Sequence, residues 1–469
     1  MMSMQRSRPD PNGITKRLPS RAACPGRGRR SRPGRRRTGP MTLSATLVAV
    51  LLVAGSASAQ GASSRPGDQA APAGARTAVT VPDSFSPVVV TPISSPTFPW
   101  LGSDQKYHVS YDLQLTNASR LPATLTQVQV VDAEHPDTVV ATLSSRQLVD
   151  PDCEYGACNL LRVLPSSNAT DTVMPPGQSR ALMVDLTFDS LDQAPAEVVH
   201  RLSLTGQAAP PATRPSPISY LAAPFDISSG KPRVIAPPLR GDDWVAANGC
   251  CGTGGAHRTA LNSVNGKLGN SQRFAIDWMK LTDEGKFYSG DKTKNESYAD
   301  YGEAVYAVAD GTVSSTLDTV EAGTPGILPA NDPVLGPKLT VQNVDGNHII
   351  QDLGGGVWAM YAHLIKGSLL VKPGDKVKKG QKIADLGNTG NSNAPHLHFQ
   401  LMDNPSLLEA DAVPYVIDRF TYQGQIPSTV WLATDDYLSG TFLQGRLPEA
   451  QSRTDELPLA LAVVDFPES

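Results

Sequence analysis

A chain of 469 residues has room for about three domains, and its 40 prolines and 40 glycines beside 40% hydrophobic residues favour a loop-rich β protein over a helical one. The formal charge of −4 hides a division: residues 1–59 hold 12 of the 41 Lys and Arg and one of the 45 acids, so the remainder is strongly acidic. That balance excludes a nucleic-acid partner for the mature chain.

Targeting accounts for the basic end. Arg29-Arg30 and Arg35-Arg36-Arg37 precede an apolar run from Leu43 to Gly55, and Ala57-Ser58-Ala59 follows as a small-x-small cleavage site. The pattern is that of a secretory signal peptide, residues 1–59, with a long basic prefix. The apolar run is shorter than the ~20 residues a membrane span needs, so the mature chain is expected to be exported with no stable span. An uncleaved anchor is the competing reading, and both general and twin-arginine export stay open. The cysteines agree with an oxidising compartment. Cys153 and Cys158 can close a small disulfide loop, while adjacent Cys250 and Cys251 form either a vicinal disulfide or two buried thiols.

Residues 60–82, rich in Ala, Pro, Gly and Ser, read as a flexible lead-in. Residues 83–230 read as a β-sandwich of immunoglobulin-like type. Tyr107, Val109, Tyr111, Leu113 and Leu115 alternate with polar neighbours, as do Leu182, Val184, Leu186 and Phe188, and turn residues punctuate the runs. His108 and His135 read as sheet or surface residues, since neither has a second candidate ligand nearby. Residues 231–243 read as an extended linker.

Motifs begin at about Trp244. Asn248 to Arg258 is a glycine-rich loop that lacks the strand–loop–helix context of a phosphate loop. Arg273 to Trp278 reads as a buried strand carrying Asp277, a carboxylate that needs a cation. Gly302 to Val313 reads as a hairpin turning at Asp310-Gly311. Asp318 to Pro337 is an insertion. Lys338–Val344, His348–Leu353 and Trp358–Leu364 read as strands, and Val371–Gly387 as two short strands about a turn. Ala394 to Gln400 reads as a strand whose alternation turns His396 and His398 to one side and Leu397 and Phe399 to the other. Residues 421–469 read as a carboxy-terminal β extension whose last apolar run returns to the core.

His257, Asp277, His363, His396 and His398 are the candidate ligands and proton-transfer groups. A hydrolytic zinc site takes three protein ligands and leaves a position for water. Asp277 in Ala-Ile-Asp, Gly302 to Val313, Tyr361-Ala-His363-Leu, Val371 to Gly390 and Pro395-His-Leu-His-Phe399 together resemble the lysostaphin/LytM family of zinc endopeptidases, which cut peptide cross-links in bacterial peptidoglycan. The resemblance covers residues 244–420. It implies a β-sheet peptidase domain of the duplicated hybrid motif type, Zn2+ bound by Asp277 and His398, and His363 and His396 as the catalytic pair. It further implies peptidoglycan peptides as substrate and a periplasmic, extracellular or wall-associated location.

The family's first motif has a histidine four residues before the aspartate, where this chain has Arg273. Arginine cannot ligate zinc. The need for a third ligand points to His257, 20 residues before Asp277, on a loop whose glycines let it fold back. The rival is His363 or His396 completing the shell. Arg273 is expected on the strand face of Asp277, pairing with a carboxylate or holding substrate. The competing function is a catalytically degenerate relative that binds cell wall or activates another hydrolase. The sandwich, having no visible site, is expected to dock on the wall or a partner, and a 230–469 fragment to keep its activity.

Overall fold

Residue 81 and residues 83–150, 159–165, 167–433 and 437–468 are described by a computed structural model. The signal peptide, nearly all of the lead-in and the Cys153–Cys158 pairing lie outside the described residues. Strands dominate what is described. The α-helices there are two short segments, Ser145–Leu148 and Ser428–Leu432.

Two antiparallel sheets enclose the first core. Tyr107–Asn117 pairs with Ser179–Phe188 in one, and Ala123–Asp132 pairs with Glu197–Gly206 in the other. The apolar half of the alternation fills the space between: Val109, Tyr111, Leu113, Leu182, Val184 and Leu186 from one side, Leu125, Val128, Val130, Leu202 and Leu204 from the other. The polar half departs from its sequence reading. His108, Ser110 and Asp112 share the outer face of their strand, where alternation predicts solvent. They are 4%, 0% and 0% exposed.

What covers that face belongs to the second part of the chain. A ten-stranded antiparallel sheet runs, in order, through Lys376–Val377, Gly311–Leu317, Asn347–Asp352, Trp358–Leu364, Leu397–Met402, Ile276–Lys280, Gly241–Ala247, Ala462–Phe466, Phe420–Gln425 and Arg446–Arg453. Its core gathers Trp278, Tyr361, Leu397, Phe399, Leu401, Val464 and Phe466. The carboxy-terminal run therefore returns to the core as a strand beside Gly241–Ala247. Residues 231–243 also hold structure: Arg233–Ile235 pairs in parallel with Tyr415–Ile417, and Ile235 and Leu239 are buried.

Three local expectations fail for identifiable reasons. Gly302–Val313 is not a hairpin. Ala304–Tyr306 pairs with Lys382–Asp385 in a separate sheet, while Gly311–Leu317 joins the large one. The Asp310 carboxylate accepts from the Lys379 backbone N–H at 2.9 Å, and the Val308 N–H donates to the Tyr361 hydroxyl at 2.9 Å, so this corner is bonded to other segments. Lys338–Val344 is not a strand. Gly336–Lys338 is a 3-10 turn, and the Asn343 side chain accepts from the Thr340 N–H at 2.6 Å to stabilise a second turn, a local side-chain bond that competes with extended backbone. Arg273 is not on the Asp277 strand. The Ala275 N–H closes a turn on the Gln272 carbonyl at 2.9 Å, and the strand starts at Ile276.

Candidate active site

The site forms along one row of the large sheet. Asp277 sits opposite Ala247 on one neighbouring strand and opposite His398 on the other, and His398 sits opposite Ala362 on the next. Leu397, Phe399 and Leu401 take the core face of their strand, which leaves His398 and Gln400 on the other.

His363 needs a backbone device to join them. Tyr361 points into the core, and a regular strand would send His363 after it. The pairing with Asn347–Asp352 slips between Asn347 and Ile349, so Leu364 takes the core position. His363 itself has φ +64°, the left-handed region that side-chain-bearing residues rarely adopt. Such strain concentrates at functional sites. The Asp345 carbonyl accepts its backbone N–H at 3.1 Å.

The Asp277 carboxylate is the centre. His257 Nε2 lies 3.3 Å from Oδ2, His396 Nε2 lies 3.3 Å from Oδ1, and His398 Nδ1 lies 3.0 Å from Oδ1. The far nitrogen of each ring is already engaged: His257 Nδ1 by the Ala275 carbonyl (3.1 Å), His396 Nδ1 by the Ala394 carbonyl (2.9 Å) and His398 Nε2 by Gln400 Oε1 (2.9 Å). Those acceptors fix the tautomers, so neutral rings would turn three bare lone pairs on the carboxylate. Lone pairs and a carboxylate repel, and only a proton or a cation between them makes the arrangement favourable. The ligand atoms of His257, Asp277 and His398 lie within 4.8 Å of one another. Two imidazoles and one carboxylate are a donor set that suits zinc.

Burial and charge set the protonation. Burial pushes His257 down to about 4 against the pull of Asp277, and pushes His363 well below its usual value, helped by His396 and His398. Burial also disfavours the Asp277 anion, but the charges of His257 and His396 and the hydrogen bonds of His396 and His398 outweigh it and hold Asp277 well below the usual range. For His398 the same contest runs the other way: burial opposes its charge, Asp277 more than offsets it, and its pKa is raised. The His363 ring stands 4.6 Å from that of His396, centroid to centroid, and its Nδ1 donates to the Thr389 carbonyl at 2.7 Å. Nε2 is left as a bare base.

The structure thus brings His257, Asp277, His363, His396 and His398 together around a cavity of about 520 Å³. Arg273 is elsewhere. Its guanidinium lies 2.8 Å from Asp112 and 2.9 Å from Asp411, out of solvent, and it neither ligates nor faces the cavity. His108 was expected to lack a second ligand, yet Asp104 and Asp185 each lie 3.1 Å from it. Cys251 beside them is bonded to Cys250 in a vicinal disulfide.

Sequence reasoning missed two site residues. Asn248 donates to Asp277 Oδ2 at 2.8 Å; its place directly after the strand opposite Asp277 was the available signal. Asp345 lines the cavity with Oδ2 unpartnered, and burial raises it to about 6. No periodic pattern marks it, because it lies in a turn before Gly346.

Residues 296–409 match peptidase family M23. That stretch includes His363, His396 and His398 and begins after His257 and Asp277. Over 87 residues the chain is 41% identical to an uncharacterized metalloprotease of Haemophilus influenzae, covering 18% of each chain. Over 57 residues it is 44% identical to the peptidoglycan DD-endopeptidase ShyA of Vibrio cholerae, 12% of this chain and 13% of that one. Over 44 residues it is 59% identical to the glycyl-glycine endopeptidase ALE-1 of Staphylococcus capitis, 9% of this chain and 12% of that one. The matches span less than a fifth of the length of each of these relatives.

Proposed function

We propose that this chain, which carries a domain of peptidase family M23, is an exported zinc-dependent endopeptidase that hydrolyses peptide bonds in bacterial peptidoglycan. The observation that carries the reading is a buried carboxylate faced by three imidazoles whose other nitrogens are committed, with a fourth imidazole alongside. The substrate class rests on the similarity to peptidoglycan-cutting relatives. Export rests on the pattern of residues 1–59; among the described residues no helix is long and apolar enough to cross a membrane.

His257, Asp277 and His398 would hold the metal. A zinc ion there would supply Lewis acidity, lowering the pKa of water and polarising an amide carbonyl. His363, kept neutral by burial and fixed by Thr389, offers Nε2 as proton acceptor. The proton His363 takes from the attacking water is the one the leaving amine needs on cleavage, and His396 presents Nε2 beside it as a second acceptor along that path. Asn248 and Gln400 orient Asp277 and His398 from outside.

The test is zinc content of the purified chain, and release of new amino groups from isolated cell walls before and after chelation. Loss of release on chelation and its return with zinc are expected. A metal-free protein whose activity ignores the chelator, or wall binding without new amino groups, would sink the reading.

A further inference from the structure

We infer that Asp112, on the outer face of the amino-terminal sandwich, is a positioning residue for the metal site, holding the His257 turn in place through Arg258. The inference rests on the peptidase reading above and extends it to a part of the chain that carries no catalytic motif.

His257, Arg258 and Thr259 form a single 3-10 turn. His257 points one way, to Asp277. Arg258 points the other way and is spent entirely on the sandwich. Its Nη1 pairs with Asp112 Oδ1, and its Nη2 donates to the Tyr111 carbonyl at 3.2 Å and the Val184 carbonyl at 3.0 Å. Those partners lie on the two paired strands Tyr107–Asn117 and Ser179–Phe188. Arg258 is 1% exposed and Asp112 0%. The carbonyls of both His257 and Arg258 accept from Asn270 Nδ2, at 3.3 and 3.1 Å, so the turn has little freedom to swing about its own backbone.

The same strand face holds the loop at a second point. Ser110, two residues before Asp112 and hence on its side of the strand, donates its hydroxyl to Asp185 Oδ1 and rests its oxygen 3.2 Å from Cys251 Sγ. Asp112 Oδ2 takes Arg273 as well, at 2.9 Å from Nε. Arg273 stands where the family resemblance places a ligating histidine. One buried carboxylate of the sandwich therefore binds both the residue that replaces the usual ligand and the neighbour of the histidine that supplies a substitute. A buried guanidinium tied at once to a carboxylate and two backbone carbonyls, with no water to compete, is a rigid support, and a glycine-rich loop needs one to present an imidazole in a fixed place.

The experiment is zinc affinity of the full chain by competition with a chelator, together with the absorption spectrum of the cobalt-substituted protein. Asp112→Asn keeps the shape and removes the charge. Its zinc affinity should fall about 10–100-fold, the range for outer-sphere supports, and its cobalt spectrum should move toward that of His257→Ala. A merely structural role would lower stability without changing the cobalt spectrum. Should Asp112→Asn fail to fold, Arg258→Lys decides, because it keeps a charge for Asp112 but cannot also reach the Tyr111 and Val184 carbonyls; the same loss is expected. Wild-type affinity and spectrum in the folded variant overturn the inference alone. Wild-type protein that binds no zinc overturns it together with the peptidase reading.

Discussion

His257 Nε2 and Asp277 Oδ2 lie 3.3 Å apart although a hairpin of Asn262–Val264 and Lys267–Gly269 separates their segments in the chain, and both side chains are buried. Arg273 is nearer to Asp277 in sequence and is directed away from it. On the reading proposed above, the loop supplies the third ligand. His257→Ala should lower zinc affinity by more than the about 100-fold that outer-sphere changes reach. Adding Arg273→His should not restore it, since position 273 lies in a turn that faces Asp112 and Asp411. Chelator competition on the single and double variants checks this. Rescue by the second substitution would mean that the loop rearranges.

His363 touches neither Asp277 nor the proposed metal ligands by hydrogen bond, and its ring is held by Thr389. His363→Ala should leave zinc content unchanged and reduce kcat about 10²–10⁴-fold, the usual contribution of a positioned acid or base. Metal analysis and turnover on the same preparation separate the two effects. Zinc loss in this variant would place His363 in the metal shell instead.

The sequence made some of this visible and not the rest. The His396–Leu397–His398–Phe399 alternation is legible because strand period leaves one choice of face, and the structure buries Leu397 and Phe399. His363 is legible only through its motif. Its aim depends on a register slip and a positive φ that no periodicity reports. The failed hairpin at Asp310-Gly311 shows a turn dipeptide overridden by distant hydrogen bonds. The polar face of His108, Ser110 and Asp112 is the clearest limit. Alternation separates core from non-core, but it cannot distinguish water from a buried arginine as the partner of an aspartate. The expectation that a 230–469 fragment keeps its activity rests on the sandwich showing no site of its own, and alternation gives no hint that its outer face holds Arg258 and Arg273. Removing the sandwich would strip Arg258 and Arg273 of Asp112.

The same interface makes stability pH-dependent. His108 lies between Asp104 and Asp185; burial opposes its charge, but Asp185 and Asp104 outweigh it and raise its pKa to about 10. A histidine raised in the folded state contributes stability that is full below its unfolded pKa of about 6.5 and is lost as pH rises through about 10. Between those limits the folded chain holds one more proton, so stability should fall by about 1.4 kcal/mol per pH unit from this group. Urea unfolding at pH 7 and pH 9 should show a steeper loss in wild type than in His108→Gln. Equal slopes in the two proteins would count against the charged His108.

Thr389 ties the His363 ring to a crowded stretch of backbone. Its carbonyl fixes His363 Nδ1, and its place is set by two glycines packed backbone to backbone. Gly346 has φ +63° and Gly390 φ +77°, and a Cβ at Gly346 would run into the Thr389 carbonyl. Gly346→Ala therefore has two costs, the left-handed backbone and the clash. Gly354, with φ +73° and open space around it, carries only the first. Gly354→Ala should cost about 1–2 kcal/mol with kcat intact. Gly346→Ala should add about 1–3 kcal/mol of overpacking and, by displacing the acceptor that fixes the His363 tautomer, lower kcat at full zinc occupancy. Denaturant unfolding and turnover on both variants check the pair. Unchanged kcat in a folded, zinc-loaded Gly346→Ala protein would show that His363 does not depend on the Thr389 carbonyl.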